Sequence, residues 1–156
     1  RESLMEDLTQ EQKAQLLSSG AVRHYAAGQR VYAEGEEGDS LFVVLGGSAV
    51  SSVHQVTMDK MEEGSFFGEA GLTEQQPQHG QGWDLSKWFE GLDAGRRRKR
   101  VSTVHAYTDL RVLEVPLEPA ERILKSNRDA WAMITTKSSL RIHKIHSIGD
   151  QNIFVF

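Results

Sequence analysis

The spacing of apolar side chains changes twice along the chain. Over residues 4 to 19, Leu8, Leu16 and Leu17 form a helical stripe, and Thr9 is followed three positions later by Gln12. That pair is a capping box, in which a hydroxyl and an amide each satisfy a backbone donor at the helix start, so a helix is predicted over 4–19. From Val22 to Val115 the texture is different. Short runs such as "VRHYAA", "RVYAE", "LFVVL", "SAVSSV" and "VTMDKM" alternate with Gly28, Gly35, Gly38-Asp39, Gly46-Gly47 and Gly64. Turn residues recurring at roughly eight-to-twelve-residue intervals between β-branched and aromatic runs predict an antiparallel roll, barrel or sandwich. Two later runs, "VSTVHAY" and "LRVLEV", add strands.

After Pro116 and Pro119 the helical spacing returns. Ile123, Leu124, Trp131, Ile134 and Leu140 predict helix from Glu118 to about Ile145, with a break near Asn127. The fold class that follows is α+β: an antiparallel, jelly-roll-like β-roll of about eight strands between N-terminal and C-terminal helices. Residues 1–156 read as one domain, with the C-terminal helices over 117–147. The first residue is Arg1, which suggests a piece of a longer protein.

Between Gln75 and Arg100 the strand pattern stops. "QQPQHGQG" and "GLDAGRRRKR" read as loop, yet they enclose "WDLSKWFEGL", where Leu85, Trp88, Phe89 and Leu92 fall at i, i+3, i+4 and i+7 behind Asp84 as N-cap. So short a helix does not hold alone in water, so it needs a surface to dock on, either this domain or a protein partner. The other reading is a loop with two chance tryptophans.

Composition narrows the function classes. A chain of 156 residues buries roughly 70% of its unfolded surface, enough for a real core. The net charge is 18 − 22 = −4, which opposes a nucleic-acid role despite "RRRKR". The chain has no cysteine, hence no disulfide, thiolate metal site or cysteine nucleophile. No apolar run approaches the ~20 residues of a membrane span, and a cytoplasmic location is expected. "GEAGL" has no serine at its centre and is no nucleophile elbow; paired acids, a Ser-His arrangement and a P-loop are also missing, so no enzyme is expected. His143 and His146 are read as exposed helix residues and not as a metal site. No cofactor is expected.

The stretch "GQRVYAEGEEGDSLFVVLGGSAVSSV", residues 28 to 53, resembles the front half of a cyclic nucleotide-binding domain. Gly28, Val31, Gly35, Gly38, Asp39, "LFVVL" and Gly47 stand at that family's glycine-and-aliphatic positions. "EGSFFGEAGL" is similar to the start of its phosphate-binding cassette and "RVSTVHA" to the end. The resemblance implies a regulatory module of the kinase-regulatory-subunit and catabolite-activator type, whose ligand is cAMP or cGMP and whose C-terminal helix swings over the base as a lid. Glu69 would accept from a ribose hydroxyl, and Arg100 would pair with the exocyclic phosphate oxygen through its planar fork. Gly68 would let the backbone approach the ligand. Ala70, with Val101 and Ser102, would offer unobstructed amides.

Four features depart from the family pattern. Glu69 and Arg100 are 100 − 69 = 31 residues apart, so 77–98 reads as an insertion inside the cassette. Gly71, Lys99 and Ser102 replace the usual Ala, Pro and small residue. Val101 has the shape of the threonine that accompanies guanine preference but lacks its hydroxyl, which favours cAMP over cGMP. "KRVS" also fits a basophilic kinase site, and a phosphate on Ser102 would block an anionic ligand. The alternative function is a fold that no longer takes nucleotide and binds a protein, its pocket filled by the insert or by the tail "NIFVF".

Overall fold

The computed structural model describes residues 3–73 and 99–153. The expected insert helix at Leu85, Trp88, Phe89 and Leu92, and the end of the tail, lie outside these residues.

Among the described residues, eight strands form two four-stranded sheets, and every pairing between them is antiparallel. They are β1 (Ala21–Tyr25), β2 (Arg30–Tyr32), β3 (Ser40–Gly46), β4 (Ala49–Val53), β5 (Val56–Met61), β6 (Phe66–Phe67), β7 (Thr103–Ala106) and β8 (Leu110–Pro116). One sheet runs β1-β8-β3-β6 and the other β2-β7-β4-β5. The helices are α1 (Gln10–Ser19), the single turn α2 (Ala70–Thr73), α3 (Leu117–Lys125) and α4 (Arg128–Ile153). The expected roll between flanking helices is what the chain forms.

The unbroken apolar run of β3 follows from its position. Leu41 and Val43 face a core shared with Leu16, Ile123, Leu124 and Ile134 of the helices. Phe42 and Val44 face the inter-sheet core with Tyr32, Phe67, Val104 and Val112. With both faces covered, alternation between apolar and polar has no reason to appear. Phe66 and Phe67 repeat the scheme, Phe66 towards the helices and Phe67 between the sheets. Two residues are too few for a periodic signal, and β6 was not expected as a strand.

The N-terminal helix is shorter than 4–19. A 3₁₀ turn covers Met5–Asp7, and α1 begins after Thr9, whose backbone is extended at φ −69° and ψ 166°. The capping box itself is present, with Thr9 Oγ1 accepting from Gln12 N at 3.1 Å and Gln12 Oε1 accepting from Thr9 N at 3.0 Å. Leu16 is fully buried, whereas Leu17 is 47% exposed. Neighbours on a helix point about 100° apart, so one of the two adjacent leucines must leave the core. Thr9→Ala is expected to cost about 1 kcal/mol of unfolding free energy, read as a lower urea midpoint at unchanged slope.

The break near Asn127 has a specific cause. Asn127 Oδ1 accepts from Ala130 N at 3.0 Å and caps α4, while Nδ2 donates to Asp7 O and Gln12 Oε1, each at 2.8 Å. One side chain thus starts α4 and ties it to the N-terminal segment. α4 runs on to Ile153, beyond the expected Ile145, and Leu140, expected among the apolar positions, is 62% exposed. Among the described residues, no helix is long and apolar enough to cross a membrane.

Candidate functional site

The turn after β6 and the loop before β7 meet at one end of the roll. Gly68 has φ +82°, and a Cβ there would approach Ser40 O and Arg100 Nη1, each to 2.9 Å. Glycine is therefore needed for Arg100 to lie against the turn as well as for the backbone conformation. A Cβ on Gly38 would collide with the Arg100 guanidinium from the other side. The loop is held in register along residues 35–37: Gly35 N donates to Arg100 O at 2.8 Å, and Arg100 N donates to Glu36 O at 2.7 Å.

Inside this slot Arg100 Nη1 donates to Ser40 O at 3.0 Å and Nη2 to Ser40 Oγ at 3.3 Å. Its guanidinium carbon lies 4.2 Å from the centre of the Tyr32 ring and 5.5 Å from that of Phe42. Burial pushes the Tyr32 phenol far above its ordinary pKa, against the pull of Arg100, so the ring stays neutral and its face stays available to the cation. Ser102 acts on the same phenol in the lowering direction, as Arg100 does.

Glu69 sits next to Gly68, almost wholly buried. Its Oε1 accepts from Arg141 Nη1 of α4 at 2.8 Å, and Arg141 Nε donates to Asp59 Oδ2 of β5 at 3.1 Å. The Arg141 guanidinium carbon stands 5.0 Å from the centre of the Phe66 ring, and Lys144 Nζ reaches Met58 O at 2.9 Å. α4 is thereby pinned across the mouth of a cavity of about 460 Å³. Gly68, Glu69, Ala70, Arg100, Val101 and Ser102, the six residues singled out in the sequence, all line it. That volume is within the usual ~300–1,000 Å³ of small-molecule pockets.

Residues 22–82 match the family model for the cyclic nucleotide-binding domain. The matched segment, 61 of the 156 residues, is similar to a cyclic nucleotide-binding domain. The chain is similar to the cGMP-dependent protein kinase of Eimeria tenella, with 32% identity over 72 residues, or 46% of this chain and 7% of the kinase. The corresponding kinase of Plasmodium berghei (strain Anka) is 27% identical over 75 residues, covering 48% and 9%. The chain therefore spans less than a tenth of the length of these relatives. Among solved structures, cAMP-bound PfPKA-R (141-441) superposes with a TM-score of 0.70 at 18% identity, over 94% of this chain and 43% of the other. The catabolite activator protein of Thermus thermophilus gives 0.61 at 17%, over 96% and 62%. Both likenesses are of fold.

Sequence reasoning missed Arg141, Asp59 and Tyr32. Arg141 is 72 residues from Glu69 and belongs to no motif. Its only sequence signal is a cation on the helix that follows the roll. Tyr32 and Phe42 read as ordinary strand residues, and only the sheet topology brings both rings under Arg100. His143 and His146 are exposed.

Proposed function

We propose that this domain is a regulatory module that binds a purine 3′,5′-cyclic nucleotide, cAMP in preference to cGMP, and passes the event to α4. The observation that carries the reading is that Glu69 and Arg100 line one cavity, with α4 attached to Glu69 through Arg141. Arg100 would take the exocyclic phosphate oxygen. Its present partners on Ser40 carry no charge, so a phosphate oxygen would add a charge–charge attraction and the bidentate geometry that Ser40 does not offer. Glu69 would take a ribose hydroxyl, while Gly68, Ala70, Val101 and Ser102 would surround the sugar and phosphate. Residues 77–98 are taken as an insertion that lengthens the cassette without removing either end, since each doubling of a loop costs only about 0.6 kcal/mol. The relatives named above include both cGMP-dependent kinases and a cAMP-bound protein, so the base preference rests on Val101 and its missing hydroxyl.

A second reading has one observation in its favour: both charged groups already have partners within the chain. A ligand-free interaction domain, with the partner held by the insert helix, would look the same. Isothermal titration with cAMP and cGMP separates the two. Binding of both with a lower Kd for cAMP is expected, and Glu69→Ala should weaken it by about 1.5–3 kcal/mol. No heat with either nucleotide would leave the interaction domain, and a lower Kd for cGMP would reverse the base preference.

A further inference from the structure

Ser102 stands where a basic recognition sequence and an anion slot coincide. Lys99 and Arg100 lie three and two residues before it, the spacing that a basophilic protein kinase reads. Ser102 is half-buried, lies outside every strand and helix, and lines the cavity together with Arg100. The neighbouring hydroxyl, on Thr103, belongs to β7 and already accepts from Glu34 N at 2.9 Å. Ser102 is therefore the better acceptor of the two. Lys99 is exposed, and the backbone of Lys99 and Arg100 is tied to residues 35–37, so a kinase has one short contact to lift.

A slot for the phosphate is already built. Among the described residues, the Arg100 guanidinium meets the Ser40 carbonyl and hydroxyl and the rings of Tyr32 and Phe42, none of which is charged. Arg100 stands over the face of Tyr32, and Ser102 is close enough to its phenol to act on it, so cation and hydroxyl border the same ring. Five lysine or arginine side chains line the cavity against two carboxylates, Asp59 and Glu69, both of which are bound to Arg141. The field there favours an anion at Arg100.

We propose that Ser102 is a phosphorylation site, and that its phosphate folds back onto Arg100 and fills the slot from within the chain. A basophilic protein kinase moves the γ-phosphoryl group of ATP to Ser102 Oγ. The bond from that phosphorus to the bridging oxygen of ADP breaks, the P–Oγ bond forms, and the hydroxyl proton passes to the kinase's base. The product sets three acceptor oxygens two residues from a guanidinium whose present partners are neutral. Resting on the cyclic nucleotide reading above, the modified domain holds its own anion where the cyclic phosphate would sit and repels a second one. Modification and nucleotide exclude each other.

The test treats the whole chain with MgATP and the catalytic subunit of cAMP-dependent protein kinase, and maps the phosphate by peptide mass spectrometry. Incorporation at Ser102 is expected, slowed by saturating cAMP and absent from Ser102→Ala. A second sample carries phosphoserine installed at position 102 during translation and needs no kinase. Its phosphorus resonance, followed against pH, should give a second ionisation at about 5 in place of about 6, because Arg100 and Lys99 favour the dianion more than Glu69 opposes it. With Arg100→Gln in the same sample it should return to about 6. The Kd for cAMP should rise about a hundredfold or more on modification, since like charges meet in one slot. No phosphate at Ser102 of the folded chain overturns the site. An ionisation left at about 6 with Arg100 present, or an unchanged Kd, overturns the filling of the slot. No cAMP binding by the unmodified chain overturns the nucleotide reading, and the site and its pairing with Arg100 then stand on the mass and the resonance.

Discussion

Arg100→Ala is expected to weaken cAMP binding by about 2–5 kcal/mol, a loss of some thirtyfold to several thousandfold in affinity. The side chain is the guanidinium stacked on Tyr32 and directed at Ser40, in a slot formed by two glycines, Gly38 and Gly68. Removing it leaves the ligand's phosphate with backbone amides alone. The cost to folding should be smaller, on the order of 1 kcal/mol, because two cation–π contacts and two bonds to a serine are lost. Titration and a urea melt of the same sample therefore separate binding from stability. Arg100→Lys should recover only part of the affinity, since an ammonium keeps the charge but neither the fork nor the flat stack. Equal affinity of Arg100→Ala and wild type would remove Arg100 from the site.

Phe66→Ala should be among the most destabilising single changes in the roll, by about 3–5 kcal/mol. The ring is 1% exposed and belongs to the core that joins the sheet to α1, α3 and α4. It also supports Arg141, whose guanidinium carbon is 5.0 Å from the ring centre. The cavity left behind lies where β6 hands the chain to Gly68 and Glu69. The urea midpoint should fall sharply, and nucleotide affinity should fall with it even where the protein is still folded. A loss below about 1 kcal/mol would mean that the surrounding leucines collapse into the space, contrary to the usual behaviour of a close-packed core.

The two predictions differ in how visible their residues are in one dimension. Arg100 stands in a readable motif, and the same holds for Glu69. Phe66 stands in that motif too, yet its place between helices and sheet depends on β6 pairing with β3 through Val43 and Phe66. The strands were legible because turn residues and short apolar runs are local properties. The capping box at Thr9 was legible for the same reason, since both hydrogen bonds span three residues. Leu17 and Leu140 were misjudged because an apolar residue on a helical stripe is buried only where a neighbouring element covers it.

Local pattern therefore determined the order helix, roll, helix and the break near Asn127, through periodicity, capping and glycine spacing, while the six residues around the cavity came from the resemblance of two short motifs to the ends of a phosphate-binding cassette. Tertiary structure decided what those residues touch. Arg100 found Tyr32 and Phe42 because two different sheets bring their rings together, and Glu69 found Arg141 because α4 lies across β5. The physical reason is that backbone hydrogen bonds and side-chain alternation are settled within a few residues. The partner of a buried charge is chosen by packing between segments 72 residues apart, as for Arg141 and Glu69, and no short stretch of chain encodes that distance.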